Sequence, residues 1–149
     1  MFYGEYQHNI DEKGRLIIPS KFREVIAERE LGGLMICRGL DRCLFIFGED
    51  EWRNYEKRLS SLPLEKRSAR SFTRQLFSGA SECELDKQGR IMVPANLRAH
   101  ANLNGATMVV GVFNRIEIWN KDLWTEYMRA SNEGYEDTAE DLWNFQGGV

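Results

Sequence analysis

Two arginines, Arg15 and Arg90, each follow a glycine in the pattern Asp-x-x-Gly-Arg, and the recurrence of that pattern is the strongest chemical signal in the chain. Asp and Gly at this spacing make a tight turn. The carboxylate of Asp11 or Asp86 accepts backbone hydrogen bonds, and Gly14 or Gly89 takes a positive φ at no steric cost. The turn itself has no use for a cation immediately after the glycine. Arginine offers a planar fork of donors that fits phosphate oxygens or a guanine edge, and a two-stranded ribbon carrying it can enter or straddle a DNA groove. Lys13 and Lys87 on the same turns, with Lys21, Arg23 and Arg98 in the segments that follow, widen the basic patch. Two other readings stand beside this one. The arginines could instead form surface ion pairs with Asp11 and Asp86, which contribute little when exposed. The two aspartates could also be imagined as a paired acid site, although duplicated turns explain them without catalysis.

Other chemistry is not signalled. The chain has no Walker loop, no Rossmann Gly-x-Gly-x-x-Gly, no His-Glu-x-x-His and no Gly-x-Ser-x-Gly, so it reads as a non-enzyme needing no cofactor. Cys37, Cys43 and Cys83 contain no Cys-x-x-Cys pair and read as small core residues, with neither a disulfide framework nor a metal site. His8 and His100 lie far from any catalytic partner and read as turn or surface imidazoles. No apolar run approaches the roughly 20 residues of a membrane span and no signal peptide opens the chain, so the expected location is the cytoplasm, with no membrane partner.

Net charge is −3, which at first argues against a nucleic-acid partner. The charge is unevenly placed, however. Asp122–Val149 holds seven acidic residues and one basic, leaving the first 121 residues at +3. Salt screens charges over about 8 Å, so DNA would respond to the local patch and not to the chain total.

The elements that position the arginines are duplicated too. DEKGRLIIPSKFR, Asp11 to Arg23, recurs as DKQGRIMVPANLR, Asp86 to Arg98, at an offset of 75 with five of 13 positions identical. The likeness resumes at an offset of 72, where Gly39–Tyr55 matches Gly111–Tyr127. Glu5–Ile10 and Ser81–Leu85 read as strands leading into the turns, and Leu16–Ile18 and Ile91–Val93 as strands leaving them, so each turn is expected at the tip of a hairpin. Pro19 and Pro94 end the exit strands, since proline cannot donate to a ladder. Helices are then expected over Lys21–Arg29, with Ser20 as N-cap, and over Ala95–Ala101. Leu34–Cys37 with Leu44–Phe47, and Met108–Val112 with Ile116–Trp119, read as second hairpins. Each runs into a helix opened by Asp50 or Asp122, whose aromatic pairs Trp52/Tyr55 and Trp124/Tyr127 share a face and read as core. Between the copies, Leu64–Ser78 reads as a helix with an apolar face of Ala69, Phe72 and Leu76 and a basic stripe of Lys66, Arg70 and Arg74, with Arg67 beside it. The resulting division is 1–55 and 80–128 for the two repeats, 56–79 for the helical connection and 129–149 for an acidic tail.

MFYGEYQHNIDEKGRLIIPSKFR, the ARSFTRQLFSGA segment and CELDKQGRIMVPANLR together resemble the MraZ family, over roughly residues 1 to 128. The resemblance implies an α+β fold of two swapped-hairpin units of the AbrB and SpoVT kind in one chain, related by a pseudo-two-fold axis, with the basic helix across them. It also implies a DNA-binding transcriptional regulator, usually a repressor, acting on short direct repeats in the promoter of the division and cell wall gene cluster, its own gene included. It implies association with the nucleoid and a ring-shaped homo-oligomer as well. DNA contact falls to Arg15 with Lys13 and, by the internal repeat, to Arg90, where Gln88 replaces the equivalent lysine and Lys87 stands one position earlier. The rival from another class is an oligomeric scaffold that binds no DNA, with Arg15 and Arg90 in salt bridges between subunits.

Overall fold

A computed structural model describes residues 1–147, so the last two residues of the expected tail lie outside the described part. The first repeat contributes β1 (Phe2–Asn9), β2 (Arg15–Ile17), α1 (Ser20–Glu28), β3 (Leu34–Arg38), β4 (Leu44–Phe47) and α2 (Glu49–Ser60). After α3 (Arg67–Gly79), the second contributes β5 (Ser81–Cys83), β6 (Arg90–Met92), α4 (Ala95–Ala101), β7 (Ala106–Phe113), β8 (Ile116–Asn120) and α5 (Lys121–Asn132), followed by α6 (Tyr135–Gly147). The class is α+β, with two repeated units and antiparallel pairing.

The strands form a six-stranded sheet in the order β1-β7-β8-β4-β3-β5 and a separate ribbon, β2-β6. In the sheet, the expected hairpins β3-β4 and β7-β8 are present, and they join along β4-β8. That seam pairs Leu44 with Ile118, Phe45 with Glu117 and Ile46 with Ile116, a register that exchanging the repeats at their 72-residue offset leaves unchanged. The outer strands cross over: β1 pairs along its whole length with β7 of the other repeat, and β5 pairs with β3.

This arrangement corrects the expectation that each Asp-x-x-Gly-Arg turn tips a self-paired hairpin. The turn closes, with Asp11 N–H donating to the Arg15 carbonyl at 3.1 Å, but β1 and β2 are not paired with each other. A sheet edge on β7 gives β1 eight ladder partners, whereas the three-residue β2 could offer only a short pairing. Ser20 is likewise the first helical residue and not a side-chain cap. Pro19 precedes it, in the position where a missing N–H costs nothing. α3 starts at Arg67, later than expected, because Pro63–Lys66 forms a turn closed by Lys66 N–H on the Pro63 carbonyl.

Strand alternation sorts the core onto two faces of the sheet. Leu44, Ile46, Ile116 and Ile118 point to one face and pack with Leu16 and Ile91 of the ribbon, Phe22 of α1 and Leu97 of α4. Phe45, Phe47 and Trp119 point to the other, where Trp52 and Leu59 of α2 and Leu76 of α3 cover them. β4 is therefore buried on both sides, which is why its sequence is unbroken apolar residues. Cys37, Cys43 and Cys83 are all buried and free, and burial pushes the thiols of Cys37 and Cys83 up to about 12, so they stay protonated and pack as apolar groups. Trp52 and Tyr55 are core-facing as expected. The equivalent Trp124 and Tyr127 pack on Trp119, but Tyr127 remains 42% exposed. Trp52 on α2 has a further aromatic neighbour in Phe77 of α3, edge-on with ring centroids 6.2 Å apart.

Candidate nucleic-acid interface

Both turns are built in the same way. Asp11 Oδ1 accepts from the backbone N–H of Lys13 (3.0 Å) and Arg15 (2.8 Å), and Asp86 Oδ1 accepts from Gln88 (2.8 Å) and Arg90 (2.9 Å). The second carboxylate oxygen takes the arginine side chain, with Arg15 Nε donating to Asp11 Oδ2 at 2.6 Å and Arg90 Nε to Asp86 Oδ2 at 2.9 Å. The expected ion pair is thus present in each turn. It engages Nε, and among the described residues neither arginine hydrogen-bonds through a terminal guanidinium nitrogen. Backbone hydrogen bonds, first, and the arginine side chains hold both carboxyls below the usual carboxylate range, so they are ionised at neutral pH.

The two turns then lock to each other across the repeats. Ile18 N–H donates to the Gly89 carbonyl at 2.9 Å, and Val93 N–H to the Gly14 carbonyl at 2.8 Å, flanking a ladder that pairs Arg15 with Met92, Leu16 with Ile91 and Ile17 with Arg90. Gly14 and Gly89 sit at φ +87° and +79° against this junction. A Cβ on Gly14 would lie 2.6 Å from the Val93 carbonyl oxygen and 2.8 Å from Arg98 Nε, and one on Gly89 would lie 2.7 Å from the Arg23 guanidinium. Arg23 and Arg98 are braces. Their Nε atoms donate to the Ile18 and Val93 carbonyls at 3.0 Å, and Arg98 Nη1 reaches the Glu12 carbonyl at 3.2 Å.

The result is one basic surface assembled from two distant segments. Residues 13–23 carry Lys13, Arg15, Lys21 and Arg23, residues 87–98 carry Lys87, Arg90 and Arg98, and neither stretch contains a carboxylate. Lys13, Lys21 and Lys87 are exposed, and Arg15 and Arg90 are half-buried on the ribbon's outer face. Sequence reasoning missed two neighbours on that face, Ile17 and Met92, although the alternation of buried Leu16 and Ile91 with their flanks was there to find them. The basic stripe of α3 is not part of this surface, since Leu76 and Phe72 seat that helix in the cluster on the opposite face of the sheet. Its Arg70 folds back onto the carbonyls of Leu64 and Glu65. His100 also departs from the expected surface imidazole: its Nε2 is enclosed without a hydrogen-bond partner, and burial, with Arg38 and Arg42, depresses its pKa.

Comparison with known proteins agrees with the internal repeat. The sequence model of the MraZ protein family matches twice, over residues 1–75 and 76–145. A curated protein named Transcriptional regulator MraZ, from Caldanaerobacter subterraneus subsp. tengcongensis, is 48% identical over 145 residues, covering 97% of this chain and 99% of the relative. The likeness therefore runs beyond residue 128, through α5 and most of α6.

Proposed function

The chain belongs to the MraZ family, and from that premise we propose that it is a DNA-binding transcriptional regulator whose paired basic turns grip duplex DNA. The observation that carries this reading is the ribbon. One arginine from each repeat stands on its outward face, held at Nε by an aspartate while its terminal nitrogens remain available as a fork for phosphate or guanine. Arg15, Arg90, Lys13 and Lys87 make the direct contacts, Lys21 extends them, and Arg23 and Arg98 act chiefly by bracing the turns. The Asp11, Gly14, Asp86 and Gly89 positions set the turn shape.

The two repeats, 1–55 and 80–128, are swapped-hairpin units of the AbrB kind about a pseudo-two-fold axis. The reciprocal β2-β6 and β4-β8 registers and the exchanged β1 and β5 support this. Residues 56–79, from the C-terminal end of α2 through α3, connect them, and 129–149, from the end of α5 onward, form an acidic tail. The protein represses the division and cell wall gene cluster, including its own gene, from short direct repeats in the promoter. It works in the cytoplasm at the nucleoid, without catalysis, as a ring-shaped homo-oligomer.

Oligomerisation has a physical rationale. A few cationic contacts give non-specific affinities of only about 10⁻⁴ to 10⁻⁶ M, whereas linked sites add roughly 10² to 10⁴ by avidity. Footprinting upstream of the protein's own gene tests the reading, followed by an affinity series on DNA with one, two and three of the protected repeats. Protection of spaced repeats, tighter binding with repeat number, and weakening by an insertion of about 5 bp, half a helical turn, are expected. No protection there, or equal affinity for one repeat and three, contradicts it.

A further inference from the structure

The ribbon's outer face carries two large apolar side chains that the core does not use. Leu16 and Ile91 point inward and are 0% and 1% exposed, while their neighbours Ile17 and Met92 are 40% and 51% exposed. The two occupy equivalent positions, 75 residues apart, so the same departure from a polar exterior occurs in both repeats. The ladder sets each one directly opposite an arginine: Ile17 faces Arg90, and Met92 faces Arg15. The face is thus a four-residue patch in which two apolar groups alternate with two guanidinium forks, flanked by Lys13 and Lys87.

We infer that Ile17 and Met92 read thymine through its 5-methyl group in the major groove. Charge alone would favour any duplex equally, and the arginines can engage phosphates anywhere along it. An apolar side chain cannot reward a phosphate, so its place between two arginines points to an apolar target on the nucleic acid. The major groove, about 12 Å wide, admits a two-stranded ribbon, and the thymine methyl is the apolar feature of the four base edges displayed there. Residues on one face of a strand repeat every 6–7 Å or so, close to the rise of two base pairs, so an arginine and its apolar neighbour address bases within about two steps of each other.

This assignment rests on the DNA-binding reading above, and its test separates the two. The full-length protein selects duplexes from a randomised pool, and each thymine of the selected sequence is then replaced by deoxyuridine, which lacks only the methyl. The wild-type protein should lose about fourfold in affinity at one or more positions, the equivalent of one buried methyl. Ile17→Ala and Met92→Ala should bind the thymine duplex more weakly and lose the discrimination between thymine and deoxyuridine at those positions. Selective binding that is indifferent to every deoxyuridine overturns the inference and leaves DNA binding intact, as does unchanged discrimination in both variants. Failure to select any sequence overturns both readings together.

Discussion

Replacing Gly14 by alanine should cost more stability than replacing Gly89, although the two are equivalent in the repeat. Both have positive φ, +87° and +79°, so alanine meets conformational strain of about 1–3 kcal/mol in either place. What the new methyl touches differs. At Gly14 it meets the Val93 carbonyl oxygen at 2.6 Å, a backbone atom whose own N–H donates to the Gly14 carbonyl at 2.8 Å, so relief must open the junction between the repeats. The added loss is about one hydrogen bond, roughly 0.5–1.5 kcal/mol. At Gly89 the three nearest atoms, at 2.7–2.8 Å, all belong to the Arg23 side chain, which can swing away at the expense of its bond to the Ile18 carbonyl. Gly14→Ala should therefore be the less stable by about 1 kcal/mol, or roughly 2–4 °C in thermal midpoint for a chain of this size. Differential scanning calorimetry reads both, with Gly33→Ala as a control because nothing lies within 4 Å of its added methyl. Equal midpoints for Gly14→Ala and Gly33→Ala would refute the packing argument at the turn junction.

Three further outcomes are expected. The carboxyls of Asp11 and Asp86 have depressed pKa values, so their contribution to stability is full above the ordinary carboxylate range and disappears as pH falls through the lowered values. The midpoint difference between wild type and Asp11→Asn/Asp86→Asn should accordingly shrink below about pH 4, and a constant difference down to pH 2 would contradict the assigned hydrogen bonds. Arg115→Ala strands the buried Glu117, whose carboxylate pairs with Arg115 at 2.9 Å and accepts from Trp119 Nε1 at 2.9 Å, and should destabilise by roughly 2–4 kcal/mol in denaturant titration. A loss under about 0.5 kcal/mol would show the pair to be dispensable. Deleting Glu133–Val149 removes five acidic residues and no basic one, so non-specific DNA binding should tighten at low salt, and unchanged affinity there would reject electrostatic tuning by the tail.

The parts of this fold that were legible in the sequence are those with local causes. Apolar density around a short turn marked β3-β4 and β7-β8, and Asp with Gly at fixed spacing marked the two turns before any pairing was known. Pairing partners were not legible. β1 carries no local mark that selects β7, about a hundred residues away, over β2, a few residues away, because ladder bonds are made by backbone groups common to every residue. The same limit affected the site. Arg15 and Arg90 stood out by type and position, but the division of the cations into forks and braces depended on which turn Arg23 and Arg98 cover, and each covers the turn of the other repeat. The spacing of Tyr127 puts it on the same face as Trp124, but how far that face is covered depends on elements elsewhere in the chain, and Tyr127 remains 42% exposed.

The central claim is that the two interlocked turns form one cationic grip on DNA, and the salt dependence of binding tests it most directly. Affinity for a random duplex is measured across a salt series for the wild-type protein and for a variant with Lys13, Arg15, Lys87 and Arg90 all changed to alanine, its fold checked by circular dichroism. The slope of log affinity against log salt should approach about −0.9 for each phosphate contact in the wild type, and should lose several units of that steepness in the variant. A wild-type slope near zero, or the same steep slope in both proteins, would contradict the account.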